Sequence, residues 1–144
     1  MHKLVIPGLS AFALISLLAM PAAPAFADMV KFKADLKASE EVPPTDSSGA
    51  GTADVTLDTA ANKVSWKVTY ENLTGDPTAA HFHGPAKVGE NTGVAVDMSA
   101  NIKDGSADVT ADQAKMISDG NTYINIHTQK FPDGEIRGQV LKVE

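Results

Sequence analysis

Three histidines, His81, His83 and His127, have the type and spacing to bind one metal ion. His81 and His83 lie in an Ala-His-Phe-His-Gly-Pro segment, and successive side chains of a β-strand point to opposite faces. In a strand, the two imidazoles therefore share one face, with their Cβ atoms about 6–7 Å apart. His127, in a second candidate strand, would stand about 5 Å to the side if the two strands are neighbours. Because metal–nitrogen bonds are about 2.0–2.1 Å long, this triangle predicts a shared metal site.

The donor set of this predicted site narrows the choice of metal. Three neutral imidazoles suit copper or zinc, and copper has the higher affinity among divalent ions. Neither histidine segment contains a carboxylate, which argues against calcium and magnesium. A fourth ligand would be Asp76, Glu90 or Glu135 from a loop, or water. The alternative is that the paired histidines make hydrogen bonds that hold the Gly84-Pro85 loop and bind no metal.

Other functional side chains lie beside the predicted site. Tyr123 and Asn125 share a face with His127 by the two-residue period of a strand. Glu135 and Arg137 share a face of the last predicted strand, one pairing away. An arginine beside a metal would attract an anion and fix its orientation. The alternative is a Glu–Arg ion pair across the strands, which contributes little stability.

Sequence patterns of the common enzyme classes are missing. The chain has no nucleophile-elbow sequence and no Walker or dinucleotide-binding glycine pattern. Glu40-Glu41 is predicted to belong to a solvated loop rather than to a catalytic carboxylate pair. Function therefore rests on the histidines.

Alternation of apolar and polar residues predicts the strands that position these side chains. The predicted strands are residues 30–37, 52–58, 63–70, a strand through His81 that stops at Gly84-Pro85, and residues 94–98, 106–109, 121–128 and 135–143. Residues 52–70 form one predicted hairpin, and residues 121–143 form another. Phe82, Ile124 and Ile126 should point away from the histidines, into the core.

One short helix is predicted over residues 111–118. Thr110 is a candidate N-cap, and Gln113 follows three residues later, as a capping box requires. Gly120 would end the helix in a left-handed conformation. About seven to eight short strands and one short helix predict an all-β sandwich or barrel.

The first 27 residues have the layout of a secretory signal peptide. Lys3 precedes an uncharged apolar run from Leu4 to Met20, and Ala25-Phe26-Ala27 is a small-residue cleavage pattern. We expect residues 1–27 to be removed and residues 28–144 to form one exported domain, periplasmic or extracellular. The alternative is an N-terminal membrane anchor.

The charge and cysteine content exclude several classes of function. Because Lys3 is the only charged residue before Asp28, residues 28–144 carry 11 lysines and arginines against 18 acidic residues, a formal charge of −7. An acidic domain with dispersed lysines is a poor nucleic-acid binder. No later stretch is apolar enough to span a membrane. Without cysteine, the domain must be stabilised by its core or by a metal.

The chain resembles the CHRD domain, a module named after chordin and found in many exported bacterial proteins. The matching segments are Phe32-x-Ala34-x-Leu36, Glu41-Val42-Pro43-Pro44, residues 79–86 around the histidine pair, Tyr123-Ile124-Asn125-Ile126-His127-Thr128, and Gly134-Glu135-Ile136-Arg137-Gly138-Gln139-Val140. They follow the family's order along nearly the whole of residues 28–144. The resemblance implies a β-rich extracellular domain without one settled activity.

A weaker likeness, limited to the site, is to copper–zinc superoxide dismutase. That family places His-x-His on a strand of an antiparallel Greek-key β-sandwich, adds a later histidine, and sets an arginine near its copper. His81, His83, His127 and Arg137 match those parts. The chain lacks the bridging histidine, the zinc-loop histidines and the disulfide pair of that family. The likeness therefore supports, at most, a copper-only site. The predicted fold is an antiparallel Greek-key-like sandwich or barrel.

The leading hypothesis is an exported domain that binds one copper ion through three histidines, for copper holding or redox chemistry that includes superoxide dismutation. In that chemistry Arg137 would steer the anion. The second hypothesis is a non-catalytic interaction module that docks a protein partner at the cell envelope. A third is a zinc ion that only stabilises the fold.

Overall fold

The computed structural model describes residues 28–144, so the predicted signal peptide lies outside the described residues. The described chain forms nine β-strands, one α-helix and two 3-10 turns. The strands are β1 (Met29–Lys37), β2 (Ala50–Asp58), β3 (Lys63–Glu71), β4 (Pro77–His83), β5 (Val94–Asp97), β6 (Asp104–Asp108), β7 (Tyr123–Thr128), β8 (Ile136–Gln139) and β9 (Leu141–Lys142), and the helix is α1 (Ala111–Ser118). The 3-10 turns span Ala38–Glu40 and Ser99–Asn101.

The strands form one antiparallel sheet in the order β5-β4-β7-β8-β1-β2-β3-β6, with β9 paired to β1. The sheet curls into a nearly closed barrel, which confirms the predicted all-β fold with a single short helix. Both predicted hairpins form, β2 with β3 and β7 with β8. The prediction of one continuous last strand is wrong, because Val140 interrupts it. Its N–H still donates to the carbonyl of Thr122, and β9 beyond it pairs with β1, the strand that β8 also joins through Arg137.

β1 follows the predicted alternation. Phe32, Ala34 and Leu36 are buried inside the barrel, while the residues between them are exposed. Opposite walls meet in the same core, where the ring of Trp66 packs edge-on against Phe82 at a centroid distance of 5.8 Å. Burial of each large apolar side chain contributes about 1.5–3 kcal/mol, so this core is the main source of stability.

β7 differs, because all six of its residues are buried. Ile124 and Ile126 point into the core, as predicted for them, and neither is exposed at all. The opposite, polar face of β7 is covered by loops on the outside of the barrel. This covered wall, formed by β4, β7 and β8, carries the predicted functional residues.

The predicted helix signals are confirmed at α1. Thr110 accepts a hydrogen bond from the N–H of Gln113, and the Gln113 side chain accepts one from the N–H of Thr110. Gly120 has φ +73°, the left-handed conformation expected after the helix end. In the described part of the chain, no helix is long and apolar enough to cross a membrane.

Candidate metal centre

The three histidines converge because β4 and β7 are direct neighbours in the sheet. His127 pairs with Ala79, two positions along the strands from the pair formed by His81 and Asn125, so both histidines lie on the same face. Each of the three imidazoles offers one nitrogen, and these nitrogens lie within 4.8 Å of one another. The ring of His81 lies 4.9 Å from that of His127 and 5.5 Å from that of His83, centroid to centroid.

Backbone carbonyls determine which ring nitrogens of His83 and His127 carry the proton. Nδ1 of His83 lies 2.9 Å from the carbonyl oxygen of Thr92, and Nδ1 of His127 lies 2.8 Å from that of Pro132. A carbonyl oxygen only accepts hydrogen bonds, so both Nδ1 atoms carry the proton of the neutral ring. Both Nε2 atoms therefore hold a lone pair, the form that binds a metal, and Nε2 of His83 lies 3.0 Å from the side-chain amide of Asn125.

His81 differs from the other two histidines because it directs Nδ1, rather than Nε2, toward the cluster. Its Nδ1 lies 3.1 Å from Nε2 of His127, while its Nε2 lies 3.8 Å from a carboxylate oxygen of Asp97. Asp97 is held in turn by the N–H of Ser99 at 2.8 Å. A carboxylate behind a ligating histidine orients the ring and raises its basicity. Asp97 has no sequence signature, because its role depends on β5 pairing with β4.

The local electrostatics favour the neutral forms of His81 and His83. Burial, followed by repulsion from His127 and His83, lowers the pKa of His81 below its usual value, against a smaller opposing effect of Asp97. Burial also lowers the pKa of His83, although hydrogen bonds to Thr92 and Asn125 oppose it. Neutral rings are the metal-binding form, so protons compete weakly at neutral pH.

This geometry fits copper or zinc. Two nitrogens bonded to one ion at about 2.0–2.1 Å lie at most about 4.2 Å apart, and the His81–His127 pair already meets that limit at 3.1 Å. The three nitrogens lie within 4.8 Å of one another, so the widest separation exceeds that limit by no more than about 0.6 Å. Three imidazoles without a thiolate or carboxylate suit these borderline metals.

Arg137 is buried beside the histidines and is tied to the loop that follows β4. Its guanidinium carbon lies 3.4 Å from the centroid of the Tyr123 ring, which stacks on His83 at 4.7 Å. Nη1 donates to Oδ1 of Asn91 at 2.8 Å, and Nη2 donates to the carbonyl of Glu90. Arg137 therefore connects to the metal site through a stack of three flat groups.

Glu135 lies on the same wall but makes other contacts. Its carboxylate accepts hydrogen bonds from Ser47, from Thr128 and from both the N–H and the hydroxyl of Thr74. Among the described residues Glu135 and Arg137 form no ion pair, because these donors occupy both carboxylate oxygens. Burial raises the pKa of Glu135, but the hydrogen bonds outweigh it and the net pKa is lower than usual.

The other two candidate fourth ligands lie in loops. The carboxylate of Glu90 accepts a hydrogen bond from the N–H of Lys87, within its own turn. Asp76 is exposed at the start of β4. The nitrogens that lie within 4.8 Å of one another belong to the three histidines alone.

The prediction of a solvated Glu40-Glu41 segment is wrong for Glu41. Glu40 is exposed, but Glu41 is 6% exposed and its Oε1 has no hydrogen-bond partner. Burial raises the pKa of Glu41 to about 7, against the opposing charge of Arg137. Two adjacent acids in a Pro-rich loop are usually exposed, so only the folding of this loop over the covered wall identifies Glu41.

One of the comparisons with known proteins identifies the family. The model of the CHRD domain family matches residues 32–140, well over half of the chain, so the protein belongs to the CHRD family. CHRD domains are extracellular, exported-type domains. Comparison with curated proteins and with solved structures found no match.

Proposed function

We propose that this CHRD domain is an exported copper-binding module that holds one ion through Nδ1 of His81 and Nε2 of His83 and His127. The observation that carries the proposal is the convergence of three imidazoles, two of which have their tautomers set by backbone carbonyls. Rings that only filled space would not need the nitrogens of His81 and His127 directed at each other at 3.1 Å. Copper is favoured over zinc by its higher affinity for nitrogen donors.

Copper holding and redox chemistry are the roles that this site supports best. Bound copper would supply one-electron transfer, which can convert two superoxide ions and two protons into dioxygen and hydrogen peroxide. The side chain of His81 is 19% exposed, so a small anion has access from solvent. Arg137 has no ion-pair partner among the described residues, and its positive charge therefore favours an anion at the site.

A second candidate, an interaction module for a cell-envelope protein, is favoured by an open groove next to the site. The groove has a volume of about 510 Å³ and lies between residues 41–46 and residues 130–134. Its walls include the apolar residues Val42, Phe131 and Pro132. Apolar surface beside polar residues is typical of docking sites.

Metal content decides between these two candidates. Residues 28–144 should retain about one copper per chain after loading and dialysis, with a Cu(II) spectrum typical of nitrogen ligands. His83→Ala should lose this copper, whereas Lys33→Ala, on the exposed face of β1, should retain it. Absence of copper above background in the wild-type protein would discard the metal function and leave the interaction module.

Two further measurements separate the roles of a bound metal. Copper binding without superoxide turnover would indicate a carrier or a structural site. Removal of zinc by a chelator, with a lower melting temperature and no change in redox behaviour, would favour a zinc ion that only stabilises the fold.

A further inference from the structure

Glu41 has a buried oxygen whose hydrogen bonding needs an explanation. In the described part of the chain, Oε1 of Glu41 is the one buried carboxyl oxygen without a hydrogen-bond partner. Leaving such a group unpaired costs about 1–3 kcal/mol, so a nearby group should satisfy it.

One candidate is the side-chain amide of Asn125, which borders the same space beside Gly134. A Cβ added to Gly134 would lie 2.5 Å from Oε1 of Glu41 and 2.7 Å from Nδ2 of Asn125. The carboxyl and the amide therefore share the space that a side chain at position 134 would fill. Gly134 also has φ +127°, which favours glycine.

The other end of the same amide reaches a metal ligand. Oδ1 of Asn125 lies 3.0 Å from Nε2 of His83. Nδ1 of His83 already donates to Thr92, so Nε2 of the neutral ring has no proton and must face a donor. The oxygen and the nitrogen of a side-chain amide have nearly the same shape, so their hydrogen-bond partners decide which position each atom takes. Half a turn of the amide places N–H against Nε2 and the carbonyl against Glu41.

We propose that protonated Glu41 donates to the carbonyl of Asn125, whose N–H donates to Nε2 of His83, whose Nδ1–H donates to the carbonyl of Thr92. Glu41 is then a positioning residue, which holds a proton behind the metal site and sets the orientation of the amide at His83. This chain of hydrogen bonds is proposed for the metal-free protein and requires Glu41 and the Asn125 amide to approach each other, and its functional meaning rests on the proposed metal site. A metal ion and the amide N–H of Asn125 would compete for the same lone pair on Nε2 of His83. Metal binding would therefore break this hydrogen bond.

The surroundings of Glu41 support the protonated form. Burial raises its pKa to about 7, and Arg137 opposes that effect from β8. The other charged groups near it are Asp46, Lys130 and Asp133, which line the outer groove. A carboxyl that carries its proton can donate to the amide carbonyl, which a carboxylate cannot do.

Infrared spectroscopy of the metal-free protein, residues 28–144, tests this chain directly. At about pH 6 the wild type should show the C=O band of a buried carboxylic acid, which fades as the pH rises through about 7. Glu41→Gln should remove the band, and Glu40→Gln, at the exposed neighbour, should retain it. A wild type without the band, or a Glu41→Gln variant that keeps it, would overturn the proposal.

Nitrogen NMR of the histidine side chains supplies the second readout. His83 should be the Nδ1–H tautomer with a hydrogen-bonded Nε2 in the wild type. Glu41→Gln, whose amide N–H also donates to Asn125, should preserve that signal, and Glu41→Ala should shift it toward an unbonded nitrogen. An unchanged Nε2 signal in Glu41→Ala would refute the chain. A wild type that binds no copper but passes both tests refutes only the proposed metal function.

Discussion

β1 and β7 have similar alternating sequences but opposite surroundings on their polar faces. Both send apolar side chains into the same core, including Leu36 from β1 and Ile126 from β7. The polar residues of β1 are exposed, whereas Asn125 and His127 on β7 lie under loops. Polar groups in water need no specific partner, but covered ones must be satisfied by the protein. Coverage by loops is therefore what gives the histidines a defined orientation.

Two buried acids, in the loops around the covered wall, also differ from each other. Glu135 accepts four hydrogen bonds from three residues, and its pKa is lower than usual despite burial. Glu41 has an unpaired oxygen, and burial raises its pKa. The fully bonded acid stabilises the loops, whereas the poorly bonded acid lies behind the candidate metal site. The number of donors around each carboxyl explains the difference.

Substitutions of core-facing residues in β1 and β7 should reduce stability by similar amounts. We expect Leu36→Ala and Ile126→Ala each to reduce the free energy of unfolding by about 2–5 kcal/mol, because both remove fully buried apolar volume from one core. Urea unfolding of the two variants measures this. If one of them is nearly neutral, the two walls do not share a single core.

Substitutions of outward-facing polar residues should reduce stability much more at the covered wall than on β1. Glu135→Gln should reduce the free energy of unfolding by about 1–3 kcal/mol at neutral pH, because it loses charge-assisted hydrogen bonds. Lys33→Ala, on the exposed face of β1, should stay within about 0.5 kcal/mol of the wild type. Equal losses in the two variants would show that coverage by loops has no energetic consequence.

The stability that the ionised Glu135 provides should decrease as the pH falls. Its folded-state pKa is lower than the unfolded value of 4.5, so its contribution is present above pH 4.5 and is lost as the pH falls through the folded-state pKa. The gap between the wild type and Glu135→Gln should therefore narrow in acid. Urea unfolding at about pH 7 and about pH 3 checks this sign, and a gap that widens in acid would contradict it.

The smallest effect is expected outside both walls. Thr110→Ala removes one half of the reciprocal cap on α1 and should cost about 1 kcal/mol of unfolding free energy. The same variant should bind copper as the wild type does, since the cap is not part of the covered wall. A change in copper affinity would mean that α1 helps to orient the histidines.

Some of these features were predictable from local sequence. The alternation through Phe32 and Leu36, and the capping box at Thr110, are periodic or short-range signals, and the structure confirms them. The break at Val140 was not predictable, because it depends on β9 pairing with β1, a strand far away along the chain. The shared face of His81 and His83 followed from strand geometry alone.

By itself, the sequence determined an antiparallel β domain with one short helix and a His-x-His pair on one strand face, because side-chain period and capping are local properties. Only the tertiary structure decided that β7 lies beside β4, which brings His127 to the pair. It alone decided that Thr92 and Pro132 offer their carbonyls to the imidazoles and that Glu41 is buried. Backbone carbonyls carry no side-chain signature, and burial depends on which loops fold over which face.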